Sequence, residues 1–343
     1  MRLLFSFVAA LLTVPVSGQE GETPDPLFQN TATLDVTITG PLTTLRRERP
    51  KDDYLPGVFS YTDADGNAVE LDLKIRARGH FRHRTCDYPP LLLNLKRGQT
   101  DGTLFEHQNK LKLVIQCDLS ERYEQGVLKE YLAYRILNAV TDKSFRVRLL
   151  SVTYVNTEER KDNPTRYAFL IEHKNRLGER FDLQDLEIER TSVSALDGAQ
   201  LNLTSVFEYL IGNTDFSPIA GPPGDECCHN YVLFGTDGKP VWAVPYDFDQ
   251  SGLVDAPYAE PNPQFRIRNV RQRVYRGRCV NNEHVPVSLQ MFRDKKAAIY
   301  ALIEEQTGLQ PRVRKDLVRY VDDFYQLIND PKYVERRIIG KCV

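Results

Sequence analysis

The stretch GVLKEYLAYRILNAV, residues 126–140, is the point at which the character of this 343-residue sequence changes. Leu128, Leu132, Ile136 and Val140 recur at every fourth position, so they form one apolar face of a helix. Before this stretch the apolar residues alternate as they do in strands, and after it the helical patterns become longer. The stretch therefore separates a β-rich first third from a larger, mainly helical remainder.

Several short segments of the first third have the sequence pattern of strands. Residues 34–39 alternate apolar and polar side chains, as a half-buried strand does. Residues 58–62 and 68–78 flank the turn DADGN and predict a hairpin. Two further strands are predicted over LLLNLK, residues 91–96, and KLKLVIQC, residues 110–117.

The remainder mixes helical patterns with a few strands. Strands are predicted over 148–155 and 166–172, a helix over 205–212, a hairpin over 230–248, and long helices over 291–305 and 313–328. We therefore expect an α+β protein with a β-rich N-lobe, residues 31–120, and a larger helical C-lobe, residues 121–343. A cleft between the two lobes is the natural place for a site.

The overall charge gives no argument for a nucleic acid or membrane partner. The 45 Lys and Arg residues nearly balance the 47 Asp and Glu residues, and we expect no nucleic acid ligand. After the N-terminal apolar run no other stretch is long and apolar enough to span a bilayer, so we expect no stable membrane insertion once a signal peptide is cleaved. The sequence also lacks the Gly-rich loop of P-loop enzymes and the Gly-x-Ser-x-Gly turn of α/β-hydrolases. Arguments about function must come from local groups of residues.

The N-terminal residues have the pattern of an export signal. Arg2 is followed by an apolar run to about Val16 and then by small residues, which predicts a signal peptide over residues 1–18. An uncleaved membrane anchor is the alternative. Residues 19–30 are polar and contain proline, so they predict a flexible lead-in. We expect a secreted or periplasmic protein.

The cysteine content agrees with export to an oxidising compartment. The six cysteines are Cys86, Cys117, Cys227, Cys228, Cys279 and Cys342. An even number in an exported chain predicts disulfide bonds, although the spacing does not give the pairing. A zinc site formed by Cys227, Cys228 and His229 is the alternative, but adjacent ligands lack the usual spacing of zinc knuckles.

Two aspartates follow a predicted buried strand in VPYDFDQSG, residues 244–252. Asp247 and Asp249 are two residues apart and share a face if the strand continues. Like charges this close favour protonation unless a cation neutralises them, and Mg²⁺ prefers one or two carboxylates together with phosphate oxygens and water. The alternative is a solvated turn that is completed by Gly252.

A second polar group strengthens the metal interpretation. Asp215 follows a predicted helix, and Asn230 precedes the next predicted strand. The order Asp215, Asn230, Asp247 is the order in which phosphoryl-transfer enzymes place a catalytic aspartate, a metal-binding asparagine and a metal-binding aspartate. The twelve residues SPIAGPPGDECC lie between the first two members, so the spacing differs from that of the usual protein kinase loop.

At these residues the chain resembles the CotH kinase family, named for spore coat protein H, whose members are atypical secreted or spore-associated kinases. The resemblance extends over most of the chain after the predicted signal peptide, and its segments occur in the family's order. They are KIRARG (74–79), PPLLLNLK (89–96), KEYLAYRILN (129–138), FLIEH (169–173), IGNTD (211–215), HNYVLF (229–234) and VPYDFDQSG (244–252). The resemblance implies a two-lobed, atypical kinase-like fold and an ATP-dependent protein kinase.

The resemblance also implies roles for the acidic residues. Asp215 would orient or deprotonate the acceptor hydroxyl. Asp247, with Asn230 and Asp249, would hold Mg²⁺ or Mn²⁺ on the phosphates of ATP. The alternatives from other classes are a non-catalytic surface binding module on the same scaffold and a metal-dependent phosphohydrolase.

The resemblance implies contacts to the nucleotide as well. Lys96 is the first choice for the phosphate-contacting lysine and Lys112 the second, while Glu172 would pair with that lysine or face the nucleotide. Arg78 belongs to the family's Arg-x-Arg-Gly strand end. His80-Phe81 follows it here, where the family often has Asn-Ser.

The segment QFRIRNVRQRVYRGRC concentrates positive charge. Six arginines lie between Arg266 and Arg278. Because guanidinium groups bind phosphates and carboxylates well, we expect an acidic or phosphorylated protein substrate to dock there. The alternative is a solvated face that pairs with carboxylates on the surface.

Overall fold

The computed structural model describes residues 22–159, 163–222 and 227–343. The predicted signal peptide at residues 1–18 therefore lies outside the described residues, as do the first three residues of the lead-in. The described strands are β1 (Leu34–Gly40), β2 (Leu55–Thr62), β3 (Ala68–Ala77), β4 (Leu91–Leu95), β5 (Lys110–Val114), β6 (Val147–Asn156), β7 (Thr165–Ile171), β8 (Gln184–Asp185), β9 (Tyr231–Gly235) and β10 (Trp242–Pro245).

Helices connect the later strands and fill the C-terminal part of the chain. The described helices are α1 (Pro26–Gln29), α2 (Leu42–Glu48), α3 (Phe81–Thr85), α4 (Glu121–Val140), α5 (Lys174–Glu179), α6 (Gly198–Ile211), α7 (Val285–Asp294), α8 (Lys296–Glu305), α9 (Pro311–Ile328) and α10 (Pro331–Tyr333).

Seven strands close into a barrel in the order β1-β2-β3-β4-β5-β7-β6. Neighbouring strands are antiparallel except at the closure, where β6 pairs with β1 in parallel from Leu34 opposite Leu150 to Gly40 opposite Asn156. Alternate residues point inward, so Phe59, Leu73 and similar side chains fill the interior. The strands β8, β9 and β10 form a separate antiparallel sheet.

The predicted two-lobed, kinase-like fold is wrong, because the β-rich part is a closed barrel. Local alternation of apolar residues predicts where strands lie but not which strand edges meet. The closing contact joins β1 to β6, which lie more than a hundred residues apart in sequence, and β6 and β7 both follow the predicted lobe boundary at residue 120. Closure also removes the sheet edges that an open lobe would leave unpaired.

The helix α4 joins the barrel to the rest of the molecule. The predicted apolar face is confirmed, since Leu128, Leu132, Ile136 and Val140 are all buried. The strand β7 is apolar on both faces because its residues alternate between the barrel interior and a second core, which is shared with α4, α6 and the C-terminal helices. Both faces of this part of the barrel wall are therefore covered.

Three pairs of cysteines lie at disulfide distance, which confirms the disulfide prediction. They are Cys86–Cys117, Cys227–Cys228 and Cys279–Cys342. The last pair ties the C-terminus to the segment before α7, and the first ties the end of α3 to the residues after β5. Of the helices in the described ranges, none combines the length and the apolar character needed to cross a membrane. The three cysteine pairs are compatible with secretion.

Candidate functional site

Most of the predicted site residues meet where the barrel wall faces the small β8–β10 sheet. Asp247 and Asp249 follow β10, while Asp215 follows α6. From the barrel side, Arg78 follows β3 and Lys112 lies in β5, and Asp247 interacts electrostatically with both of these cations. The site is thus assembled from segments that are distant in sequence.

The end of α6 fixes the direction of the loop that carries Asp215. Gly212 adopts a left-handed conformation with φ 67°, and its N–H donates to the carbonyls of Glu208 and Tyr209. The side chain of Asn213 then accepts a hydrogen bond from the Asp215 N–H at 2.9 Å. The helix therefore stops in a defined turn, and Asp215 emerges from it.

Two neighbouring side chains hold Asp215. The Nε2 atom of His229 lies 2.7 Å from its Oδ1 atom. The Nδ2 group of Asn230 donates to the Asp215 main-chain carbonyl at 2.7 Å and to Oδ2 at 3.2 Å. The hydrogen bond with Asp215 raises the pKa of His229. The Asp215 side chain remains 38% exposed, so a hydroxyl acceptor can reach it.

Asn230 and Asp247 share an unusual backbone conformation. Their φ angles of 55° and 64° lie in the left-handed region, which costs a non-glycine residue about 1 kcal/mol or more. The Tyr246 N–H donates to the Asn230 carbonyl at 3.0 Å, and the Asp247 N–H donates to the Tyr134 hydroxyl at 2.9 Å. These bonds hold both residues in a conformation that aims their side chains at one site.

The acidic pair is only partly compensated. Asp249 is buried, and the hydroxyl of Tyr258 donates to its Oδ2 atom at 3.0 Å. Burial and the charge of Asp247 raise the pKa of Asp249 to about 7, although Arg82 opposes the shift. A bound cation would favour the ionised form of both carboxyl groups, because it offsets the repulsion between them.

Sequence analysis missed a buried ion pair beside this acidic pair. Arg82 on α3 lies 3.7 Å from Glu130 on α4, and it also donates to the carbonyl of Ile115. Burial raises the pKa of Glu130, and the charge of Asp249 adds to the shift. Glu130 and Tyr134 lie roughly opposite the apolar stripe of α4, so the helical pattern placed them towards solvent. Only the tertiary structure shows that this face is covered.

The structure brings Lys112, and not Lys96, to the acidic residues. Lys112 lies over the ring of Tyr246 at 4.8 Å. Burial and the charge of Arg78 lower its pKa to about 8, although Asp247 opposes the shift. Lys96 is exposed beyond the far end of β4, whereas the residue opposite Lys112 is Leu92, four positions or about 13 Å back along the strand.

Arg78 is close to Asp247, whereas Glu172 is paired with Arg180. The Arg78 Nε group donates to the Leu91 carbonyl at 3.2 Å, and burial lowers its pKa while Asp247 opposes the shift. Glu172 is bound by Arg180, whose Nε and Nη2 atoms lie 2.8 and 3.1 Å from the two carboxylate oxygens. Glu172 therefore pairs with this arginine instead of with a lysine.

Two adjoining cavities open beside Lys112. The smaller, of about 270 Å³, has a mixed lining that includes the apolar side chains of Ile171, Leu186 and Val232 and the ring of Tyr246. Its polar lining residues are Lys110, Lys112, Glu172, His173, Lys174 and Asp185. The larger, of about 710 Å³, has a polar lining that includes Arg97 and shares Lys110 and His173 with the smaller one. The smaller cavity therefore combines a few apolar side chains with several charged groups.

The arginine-rich segment is largely engaged within the molecule. Arg271 lies 2.8 Å from Asp316, and Arg273 donates to the main-chain carbonyls of Leu210 and Tyr320. Arg276 donates to two carbonyls of the loop that carries Asp215. Arg266 and Arg268 are exposed. Docking of an acidic partner to this segment stays a prediction, with fewer available guanidinium groups than the sequence suggested.

The donor set fits a metal that arrives with phosphate. Within residues 22–159, 163–222 and 227–343, no group of three or more His, Cys, Asp or Glu side chains is arranged to hold a metal ion by itself, as a zinc site would require. The predicted ligands here are the two carboxylates of Asp247 and Asp249 and the side-chain carbonyl of Asn230. Such a set suits Mg²⁺, which completes its coordination with phosphate oxygens and water.

No protein-family model matches the chain, and no curated protein is significantly similar to it. The resemblance to the CotH kinases therefore rests on the motifs, and the function rests on the chemistry of the site.

Proposed function

We propose that the protein transfers the γ-phosphoryl group of ATP to a hydroxyl of a protein acceptor outside the cytoplasm. The observation that carries this proposal is the convergence of Asp215, Asp247 and Asp249 with the cations Arg78 and Lys112. Phosphoryl transfer needs this combination, because catalysis consists mainly of positioning the reactants and neutralising phosphate charge.

Asp215 is the group that acts on the acceptor. Its carboxylate is partly exposed and is held by His229 at 2.7 Å. It orients the acceptor hydroxyl and accepts its proton as the oxygen attacks phosphorus. The hydrogen bonds from His229 and Asn230 restrict rotation of the side chain, so less orientation remains to be achieved when the acceptor binds.

Lys112 and Arg78 provide positive charge on the barrel side. Both are held close to Asp247, so phosphate oxygens that bind there meet cations from the barrel and carboxylates from the β10 loop. Asp247, Asp249 and Asn230 would hold Mg²⁺ or Mn²⁺. When bound, the metal would neutralise charge on the phosphates.

The smaller cavity is suited to the base of the nucleotide. Part of its lining is apolar, since Ile171, Leu186 and Val232 can pack against a planar base, and Tyr246 adds an aromatic ring. Lys112 lies at the edge of the same cavity and also close to Asp247. A nucleotide bound in this way directs its phosphates towards the aspartates.

The test compares the wild-type protein with Asp247→Ala in the presence of γ-labelled ATP, Mg²⁺ or Mn²⁺ and a generic protein acceptor. We expect transfer by the wild type and at least about a 100-fold lower rate for the variant. Asp237→Ala is the matched control, because Asp237 is an exposed aspartate in the β9–β10 turn. Transfer that is equal in all three proteins would refute the site.

A second variant separates catalysis from binding. Asp215→Asn keeps the size of the side chain and removes the proton acceptor, so we expect loss of transfer with nucleotide binding retained, as measured by a thermal shift with MgATP. If wild-type protein binds MgATP and transfers nothing to any acceptor, the chain is a binding module. If it shows neither binding nor transfer, the proposed function is wrong.

A further inference from the structure

The loop that carries Asp215 is held through its main chain as well as through its side chains. The Nη1 group of Arg276 donates to the carbonyl of Thr214 at 2.9 Å and to the carbonyl of Phe216 at 2.7 Å. These two carbonyls belong to the residues immediately before and after Asp215. One guanidinium group therefore bridges both sides of the candidate catalytic aspartate.

Arg276 is itself restrained by its surroundings. Its guanidinium carbon lies 4.3 Å from the ring centroid of Phe216 and 5.1 Å from that of Phe265. The side chain of Asn262 donates a further hydrogen bond, at 2.9 Å, to the same Thr214 carbonyl. A planar cation that stacks on aromatic rings has few alternative conformations, so the carbonyls are bound to a preorganised donor.

The charge of Arg276 is also close to Asp215. Burial lowers the pKa of Arg276, and the neighbouring acidic groups Glu208 and Asp215 oppose this shift. Burial raises the pKa of Glu208 to about 8, so this carboxyl is mostly protonated at neutral pH. Asp215 therefore lies within electrostatic range of the guanidinium group that binds its main chain.

We propose that Arg276 is a positioning residue for Asp215, and this inference rests on the proposed phosphoryl transfer. It fixes the main chain from Thr214 to Phe216, while His229 and Asn230 fix the side chain. Both restraints are required, because a carboxylate that is held only at its tip moves with its backbone. Displacement of a catalytic group by about 1 Å can lower a rate about 100-fold.

Arg273 is a matched control within the same segment. It also binds two main-chain carbonyls, those of Leu210 and Tyr320, and its guanidinium carbon lies 3.8 Å from the ring centroid of Tyr320. Leu210 lies in α6, five residues before Asp215. Arg273 therefore joins two helices without touching the loop, and its loss reports on a purely structural contact.

The experiment measures kcat and KM for MgATP, the unfolding midpoint, and hydrogen exchange of the peptide covering residues 213–217, in Arg276→Lys and Arg273→Lys. Lysine keeps the charge but lacks the planar group that stacks between two rings. For Arg276→Lys we expect kcat to fall about 10- to 100-fold, KM to change less than about threefold, and exchange of this peptide to accelerate. For Arg273→Lys we expect kcat within about twofold of wild type, even where the unfolding midpoint falls equally.

Chemical rescue adds a second readout. Guanidinium ion at concentrations too low to denature the protein should restore part of the kcat of Arg276→Ala and none of any activity lost in Arg273→Ala. Equal losses of kcat in the two lysine variants, in proportion to their loss of stability, would overturn the inference. If the wild type transfers no phosphate, the proposed function is overturned, and this inference with it. If the wild type is active and Arg276→Lys has the same kcat, only the inference is overturned.

Discussion

Two buried carboxylate–arginine pairs in this molecule differ in how completely they are satisfied. In the first, both oxygens of Glu172 accept hydrogen bonds from Arg180, and the Arg146 N–H donates to one of them at 3.0 Å. In the second, Glu130 lies 3.7 Å from Arg82, which is too far for a strong hydrogen bond. Both pairs are almost inaccessible to solvent, so burial alone does not explain the difference.

The difference separates a structural pair from one that belongs to a site. A buried charge with all its hydrogen bonds made is already compensated by the fold. Glu130 lies close to the negative charges of Asp247 and Asp249, and Arg82 interacts with all three carboxyl groups. We infer that this region is completed by a ligand, since proteins tolerate incompletely compensated charge mainly where function requires it.

Breaking the complete pair should have the largest effect. Glu172→Gln removes the charge opposite Arg180, whose guanidinium is also buried and donates to the Ser144 carbonyl at 3.0 Å. Because an uncompensated buried charge remains, we expect the free energy of unfolding to fall by about 3–5 kcal/mol. Denaturation in urea, followed by circular dichroism, measures this change.

The control for this prediction is Glu187→Gln. Glu187 is exposed and lies 3.4 Å from Lys174, so its substitution should change the free energy of unfolding by less than about 1 kcal/mol. A loss below about 1 kcal/mol in Glu172→Gln would show that the Glu172–Arg180 pair is not the structural element that its geometry indicates.

Glu208 is a third buried carboxyl group, and it differs from the other two in its hydrogen bonding. Within the described part of the chain, neither of its oxygens has a partner in hydrogen-bonding geometry, although Asn213 and Tyr231 lie beside it. Burial raises its pKa to about 8, above its value in the unfolded chain. The unfolded state therefore releases this proton at lower pH than the folded state, and stability decreases as the pH rises from about 4.5 to about 8.

Glu208→Gln should remove this pH dependence. We expect the variant and the wild type to have equal free energies of unfolding near pH 4.5. Between pH 5 and pH 7.5 the variant should become more stable than the wild type by about 1.4 kcal/mol for each pH unit. Urea denaturation at a series of pH values measures the difference. Parallel curves for the two proteins would show that Glu208 is ionised in the folded state.

The sequence predicted the elements of the fold better than their assembly. Alternation placed the strands, and the four-residue spacing from Leu128 to Val140 placed α4 and its buried face. The closure of the barrel was not predictable in this way, because the pairing of β6 with β1 depends on contacts between distant segments and leaves no local pattern. The strands of the predicted β-rich lobe are therefore part of a closed barrel.

Part of the candidate site was suggested by short motifs. Asp215, Asn230 and Asp247 lie near one another in the structure, and their catalytic and metal-binding roles stay predictions. Lys96 was ranked before Lys112, although Lys112 is the one near Asp247, because both lie in or next to apolar strands and only the register separates them. Arg276 was noticed for its charge, whereas its role is to bind main-chain carbonyls, which no side-chain pattern reports.

The smallest effect on stability is expected at Asp249, and it tests most directly whether a buried carboxyl group supports the fold or belongs to the site. Asp249 is buried next to Asp247 and accepts one hydrogen bond from Tyr258. Asp249→Asn removes one of two like charges and keeps an oxygen for the tyrosine, so we expect the free energy of unfolding to rise by about 1 kcal/mol while phosphoryl transfer falls. At Glu172 the corresponding change to glutamine should destabilise the protein. Opposite signs at the two positions, measured by urea denaturation, would show that one carboxylate supports the fold and the other is kept at a cost to stability for its ligand. If Asp249→Asn destabilises the protein as Glu172→Gln does, Asp249 is a structural residue and its assignment to the site is wrong.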